Sequence, residues 1–286
     1  MIIVRLQGGL GNQLFQYAAG KALASRLNVP FKLEVITSLR KDKRRSIALN
    51  ELEINFELAS RKEVKEFVHF PSLYRHPPGL LKTGKNIYRE PHFHFDKNFF
   101  NLNDPVFLDG FWQSPLYFKD IETIIRREFR VKPGLISNVV EKGKELEQTS
   151  SLAVHIRRGD FLDTKIAAYH GVLSPFYFEK AIRMIKEKEP DVFLYFFSDD
   201  IDWVKQNLAH YKNAELVSSL KGSAIEDFYL MTKCRHNIIA NSSFSWWPAW
   251  LNTNPDKIVI APIKWFAKSD INTNDLIPDN WFRVSQ

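Results

Sequence analysis

Three short stretches bring together polar and charged side chains capable of catalysis or ligand binding. They are VHIRRGDF (Val154 to Phe161), GGLGNQ (Gly8 to Gln13) and NSSFSWW (Asn241 to Trp247). A strand over Leu152–Arg157 alternates its side chains, so His155 and Arg157 share one face while Ile156 and Arg158 take the other. Gly159 then lets the backbone turn at the strand's carboxyl end, the edge at which open α/β sheets bind ligands. A guanidinium placed there binds phosphate through two parallel hydrogen bonds and holds it against developing negative charge. His155 would add a third donor or orient the group. Arg158 has two readings, a second phosphate contact or an ion pair with Asp160 or Asp163 that braces the surface.

The glycine turn exposes backbone N–H groups of Gly9 and Gly11 at a helix N-terminus, which suits an anion or a polar ligand. It lacks the full G-x-G-x-x-G spacing, and tight strand-to-helix turns also need glycine for packing alone. Asn12 is either a ligand contact or the N-cap of the helix. At the third stretch, the hydroxyls of Ser242 and Ser243 could cap a helix or donate to phosphate oxygens, and Trp246, Trp247 and Trp250 read as core. Ser198-Asp199-Asp200-Ile201-Asp202 ends another strand, where Asp200-x-Asp202 could hold a divalent metal or cap the next helix. There is no dense set of metal-ligating residues.

Periodicity supplies the framework that carries these groups. Residues 1–6 read as a buried strand, about 12–27 as a helix with Leu14, Ala18, Ala22 and Leu23 on one stripe, and 29–35 as a second strand, which begins a βαβ unit. Ser60-x-x-Glu63 is a capping box. Residues 70–105 show no clear period, 106–108 form a short strand, and Ser114-Pro115 opens a helix to about Phe129. A charged helix spans about 136–147. Thereafter strands at 152–157, 191–197, 237–240 and 257–261 alternate with helices at about 175–188, 223–234 and 241–251. Such alternation specifies mostly parallel, doubly wound sheets. The polar run near residue 150 divides the chain into halves at 1–150 and 151–286.

At 286 residues, with 44% hydrophobic residues including 23 Phe, 9 Tyr and 7 Trp, the chain can bury a substantial core. A single cysteine, Cys234, excludes an internal disulfide and a cysteine-rich zinc site. No segment approaches the ~20 apolar residues that cross a bilayer, and the opening MIIVRLQGGLGNQ breaks its apolar run at glycines, so no signal peptide is expected. A cytoplasmic setting is expected. Net charge is +7 with pI near 9.3. Part of the excess lies in Arg40-Lys41-Asp42-Lys43-Arg44-Arg45, a solvated basic loop or a peripheral contact with an anionic inner-membrane face.

Taken together, GGLGNQLFQYAAGKAL, HIRRGDF and NSSFSWWPAWL resemble the bacterial α-1,2-fucosyltransferases of glycosyltransferase family 11, over residues 8–251. The His-x-Arg-Arg core and glycine turn are similar to those of the wider fucosyltransferase superfamily. The resemblance implies an α/β fold of GT-B type, with two Rossmann-like domains of mostly parallel sheet facing a cleft, an N-terminal acceptor domain and a C-terminal domain that binds GDP-β-L-fucose. It implies an inverting, metal-independent transfer of fucose to a hydroxyl, typically O2 of a terminal β-galactose, in surface-glycan (O-antigen) synthesis. No cofactor is then expected beyond the donor substrate, and the partners would be GDP-fucose and a galactose-terminated glycan.

Carried over residue by residue, Arg157 would hold the donor's β-phosphate and His155 would contact the nucleotide or diphosphate. Ser242, Ser243 and Phe244 would line the diphosphate and guanine side, and Asp227 resembles an acid that recognises the nucleotide. Asn12 falls at the position of a reaction-centre asparagine or carboxylate. An amide is no general base at pH 7, so the acceptor's proton passes either to a phosphate oxygen or to an unassigned carboxylate. Trp112-Gln113 resembles a segment of these transferases and would stack on a sugar or pack in the core. The rival readings are another acceptor or linkage with the same donor, a metal-dependent transferase, and a basic nucleic-acid-binding protein, which salt-dependent oligonucleotide binding would reveal.

Overall fold

A computed structural model describes residues 1–37, 46–68, 86–218 and 223–286. The basic run at 40–45 and much of the aperiodic stretch at 70–105 lie outside these residues. The strands and helices are β1 (Ile2–Arg5), α1 (Leu10–Leu27), β2 (Phe31–Glu34), β3 (Glu57–Leu58), α2 (Arg61–Phe67), β4 (Ile87–Arg89), β5 (Val106–Asp109), α3 (Glu122–Glu128) and α4 (Val140–Gln148), followed by β6 (Ser151–Ile156), α5 (Thr164–His170), α6 (Pro175–Lys186), β7 (Phe193–Ser198), α7 (Ile201–Asn207), β8 (Ala214–Leu216), α8 (Ala224–Lys233), β9 (His236–Ile238), α9 (Ser243–Leu251), β10 (Val259–Pro262) and β11 (Phe282–Val284).

The strands form two all-parallel sheets, ordered β3-β2-β1-β5-β4 and β11-β10-β9-β6-β7-β8. Parallel neighbours need crossover segments, which is why helices alternate with strands. Both central strands are buried along nearly their whole length, as sheets covered on two faces require.

The chain divides into two compact units, Met1–Arg130 with Asn274–Leu276, and Val131–Thr273 with Ile277–Gln286. This division precedes the one drawn at residue 150. The reason is α4: its Leu146 lies in a core cluster with Ala153, Tyr195 and Phe197, and Gly143 leaves the room taken by the Tyr229 ring, 2.8 Å from where a Cβ would stand.

In the first unit α1 is buried around most of its circumference rather than along one stripe. Gly20 permits this, because a Cβ there would sit 2.2 Å from Val4 Cγ2 and 2.6 Å from Phe31 Cε2. The helix ends on Asn28 in the left-handed region (φ 53°), a conformation asparagine tolerates. The capping box at Ser60 and Glu63 forms as expected. The single helix expected from Ser114 to Phe129 does not: two 3-10 turns, Pro115–Tyr117 and Lys119–Ile121, precede α3, because Tyr117 and Phe118 are both fully buried and Phe118 leaves the helical region (φ −130°, ψ 16°). In the second unit, Leu152, Val154, Ile156, Phe196 and Ile238 meet the apolar face of α6 in one cluster.

Candidate active site

In the second sheet β6 runs to β7 and β8 on one side, whereas β9, β10 and β11 lie on its other side. The connections reverse direction between β6 and β9, and open α/β sheets bind ligands outside the carboxyl ends of strands at such a point. The carboxyl end of β6 presents His155 and the turn Arg157–Asp160 there. That of β9 leads into Asn241, Ser242 and the N-terminus of α9.

His155, on β6, is 5% exposed, and its ring centroid lies 5.6 Å from that of Phe244 on α9. Burial, aided by the Arg157 charge, pushes its imidazole down to about 3. It is therefore neutral near pH 7, and its buried Nδ1 has no hydrogen-bond partner. Strand β6 stops at Ile156, one residue earlier than expected, so Arg157 stands just past the sheet edge. Its Nη1 lies 2.8 Å from Asp199 and its Nη2 2.7 Å from Asp160, with a quarter of the side chain exposed. The guanidinium also lies over the Phe161 ring.

Arg158 has another environment. Its Nε is 3.1 Å from Asp200 and its guanidinium lies 4.6 Å over the Trp203 ring of α7. The pairing with Asp160 or Asp163 considered for Arg158 is thus corrected: Asp160 takes Arg157, and Asp163 caps α5 through the N–H groups of Lys165 and Ile166. Asp200 caps α7, its side chain accepting from the Trp203 N–H, which is the capping alternative for the acidic run.

Ser242 is the N-cap of α9, accepting from the Phe244 N–H. Ser243 opens that helix, and Phe244 also packs edge-on to Phe228 of α8. Trp246 and Trp247 are fully buried and Trp250 nearly so, as expected of core. Asp227, on α8, is bonded by the Ser218 hydroxyl, which also accepts the backbone N–H of Ser198 at the end of β7. Burial raises the Asp227 carboxyl to about 6, with the charge of Glu226 adding to it and the Ser218 bond opposing. His155, Arg157, Ser242, Ser243, Phe244 and Asp227 are thereby gathered at one edge of one sheet.

Gly9, Gly11 and Asn12 belong to the first unit. Gly9, not Asn12, is the N-cap of α1, so the N-cap reading of Asn12 is corrected. Gly11 lies inside the helix and is buried. Gly8 (φ 77°) makes the turn, and a Cβ on it would stand 2.4 Å from Asn12 Nδ2. Asn12 Oδ1 accepts from Gln113 Nε2 at 2.9 Å, which ties the turn after β1 to the turn after β5, the reversal point of this sheet. Trp112 is fully buried against Tyr88, Phe99 and Tyr117, so packing rather than sugar stacking accounts for its ring.

Ser218 and Glu90 carry no local signal in the sequence, and Asp199 appears there only as one member of the acidic run Ser198–Asp202. Glu90 accepts the N–H groups of Phe111 (2.7 Å) and Trp112 (2.9 Å), and burial raises it to about 7 against the pull of those bonds. The partners of Asp199 and Glu90 lie tens of residues away, so no short spacing betrays them. For Asp199 the one available clue is its place directly after an apolar strand.

The family model described as Glycosyl transferase family 11 matches residues 1–285. An Escherichia coli O-antigen biosynthesis glycosyltransferase, WbnK, is 35% identical over 98% of this chain and 99% of its own. An Escherichia coli alpha-1,2-colitosyltransferase is 33% identical over 100% and 99%. The galactoside alpha-(1,2)-fucosyltransferase 1 of Rattus norvegicus is 26% identical over 56% of this chain and 46% of its own. Among solved structures, the NodZ α-1,6-fucosyltransferase soaked with GDP-fucose aligns with TM-score 0.53 at 15% identity, covering 91% and 94% of the two chains. An Arabidopsis thaliana FUT1 variant in complex with GDP aligns with TM-score 0.54 at 10% identity, covering 90% and 69%. The fold is α/β of GT-B type.

Proposed function

We propose that this chain, which belongs to glycosyl transferase family 11, moves L-fucose from GDP-β-L-fucose to O2 of a terminal β-galactoside, inverting the anomeric centre, without a metal, in surface-glycan synthesis. The observation that carries the reading is the Arg157 guanidinium fixed by Asp160 and Asp199 just past the carboxyl end of β6, the strand that borders the reversal point, with neutral His155 of the same strand packed on Phe244 of α9. Breaking the bond between sugar C1 and the phosphate oxygen develops oxocarbenium character on the sugar and negative charge on GDP. A cation and N–H donors fixed in place beforehand stabilise that charge more in the transition state than in the ground state.

In this reading Arg157 takes the β-phosphate, and Ser242 and Ser243 with the α9 N-terminus take the diphosphate. Phe244 and neutral His155 flank the nucleotide, and the Asp227 carboxylate accepts from guanine N–H groups. Gly9, the N-cap, and the buried Gly11 open the helix that sets Asn12 in place. Asn12 positions the acceptor hydroxyl, whose oxygen forms the new bond to C1 while its proton passes late to a phosphate oxygen of the departing GDP.

Incubation with GDP-fucose and lactose, with linkage analysis by NMR, tests this. An α-1,2-fucosylated product with stoichiometric GDP release is expected, and turnover in excess EDTA equals that without it. No GDP release with any galactoside overturns the reading. The 33% identity to an alpha-1,2-colitosyltransferase favours one second reading, colitosyl transfer by the same residues, which turnover with a colitosyl donor alone would select.

A further inference from the structure

Strands β6 and β7 pair through Ile156 and Ser198, so Arg157 and Asp199 are the first residues beyond the sheet on adjacent strands. One carboxylate there holds two things. Asp199 Oδ2 lies 2.8 Å from Nη1 of Arg157, and Asp199 Oδ1 accepts the backbone N–H of Arg158 at 2.8 Å. The next residue is glycine for a steric reason: a Cβ on Gly159 would lie 2.6 Å from Asp199 Oδ2 and 3.1 Å from its Cγ. Asp200, its neighbour, faces away, holding Arg158 and capping α7. Asp160 reaches Arg157 only across a local 3-10 turn.

We propose that Asp199 is a positioning residue of the donor site, setting both the direction of the Arg157 guanidinium and the shape of the turn that carries it without touching the donor. The inference rests on the reading that Arg157 holds the donor diphosphate. A carboxylate repels a diphosphate, so it serves the site only from behind the cation. Each terminal nitrogen of a guanidinium carries two N–H donors, and Asp199 takes one from Nη1, leaving the fork oriented. Losing the bracket frees a rotamer-rich side chain and releases the turn together. That is a larger change than losing one exposed ion pair, which contributes little on its own.

The test is a double-mutant cycle on turnover at saturating donor. Arg157→Ala is expected to lose about 10²–10³-fold, as for removal of one charge-stabilising donor. Asp199→Asn is expected to lose about 10–100-fold, by analogy with partners that orient metal-ligating side chains. Because Asp199 acts through Arg157, the double variant is expected to be no slower than Arg157→Ala alone. Gly159→Ala, which leaves every polar partner in place but drives its Cβ into the carboxylate, is expected to match Asp199→Asn and not to add to it. This second route keeps the test open if Asp199→Asn folds poorly by circular dichroism. Wild-type turnover in Asp199→Asn, or losses that multiply in the double variant, overturns the inference alone. Wild-type turnover in Arg157→Ala overturns the reading beneath it.

Discussion

The rings of His155 and Phe244, with centroids 5.6 Å apart, link the strand before the reversal point to the helix after it. Their contact joins the carboxyl end of β6 to the N-terminal turn of α9 in one packed surface, the face proposed to take the donor. It also removes water from His155, which is why that imidazole stays neutral.

The His155 titration is therefore expected to be silent at working pH. A ¹⁵N-resolved NMR titration should show a neutral ring from pH 5 to 8, and imidazolium shifts in that window would contradict the burial. The folded state binds this proton more weakly than the unfolded chain does. The group's contribution to stability is then full above its ordinary value of 6.5 and declines as pH falls below it.

Asp227 behaves oppositely. Its folded value of about 6 lies above its ordinary 3.8, so its contribution to stability is full below 3.8 and is lost as pH rises through about 6. In the proposed reading the guanine is bound by the ionised form, so GDP-fucose affinity should fall about tenfold per pH unit below that point, one proton being linked. Isothermal titration from pH 4.5 to 8 checks this with the sugar nucleotide, since a free terminal phosphate titrates near 6 itself. Asp227→Asn should flatten the profile, and an unchanged slope in that variant would remove the carboxylate from the site.

Arg157 and Arg158 are expected to differ sharply. Arg158 is engaged by Asp200 and Trp203, so Arg158→Ala should change turnover by less than about tenfold, against the 10²–10³-fold loss of a charge-stabilising donor predicted for Arg157→Ala. Steady-state kinetics of the two variants side by side decides it, and equal losses would contradict the assignment.

Trp112 should report on folding. It is fully buried within Tyr88, Phe99 and Tyr117, so Trp112→Ala should cost about 3–5 kcal/mol. Urea unfolding measures it. An unshifted midpoint with a raised acceptor KM would restore the sugar-stacking role.

Much of this architecture was legible from the chain alone. Apolar strands alternating with helical periods specify parallel sheets, since parallel neighbours require crossovers. The second sheet has the strand order of a Rossmann-like half, whereas the first shares its β3-β2-β1 side but sets β5 rather than β4 beside β1. Element ends were less legible. Strand β6 ends at Ile156 because the turn after it is held by Asp199, a partner from another strand. The stretch after Ser114 breaks its helix because Tyr117 and Phe118 are buried by residues distant in sequence.

Residue type and period already named the groups that could act: an arginine pair at a strand end, hydroxyls opening one helix, glycines opening another. Those are local properties of the chain. Strand alternation had already set Arg157 apart from Arg158; folding held Arg157 between Asp160 and Asp199 and committed Arg158 to Asp200 and to Trp203 of α7. It also made His155 neutral, raised Asp227, and set Asp199 as the bracket of Arg157. Each outcome depends on burial or on a partner across strands, and desolvation and cross-strand contact have no signature in a linear spacing.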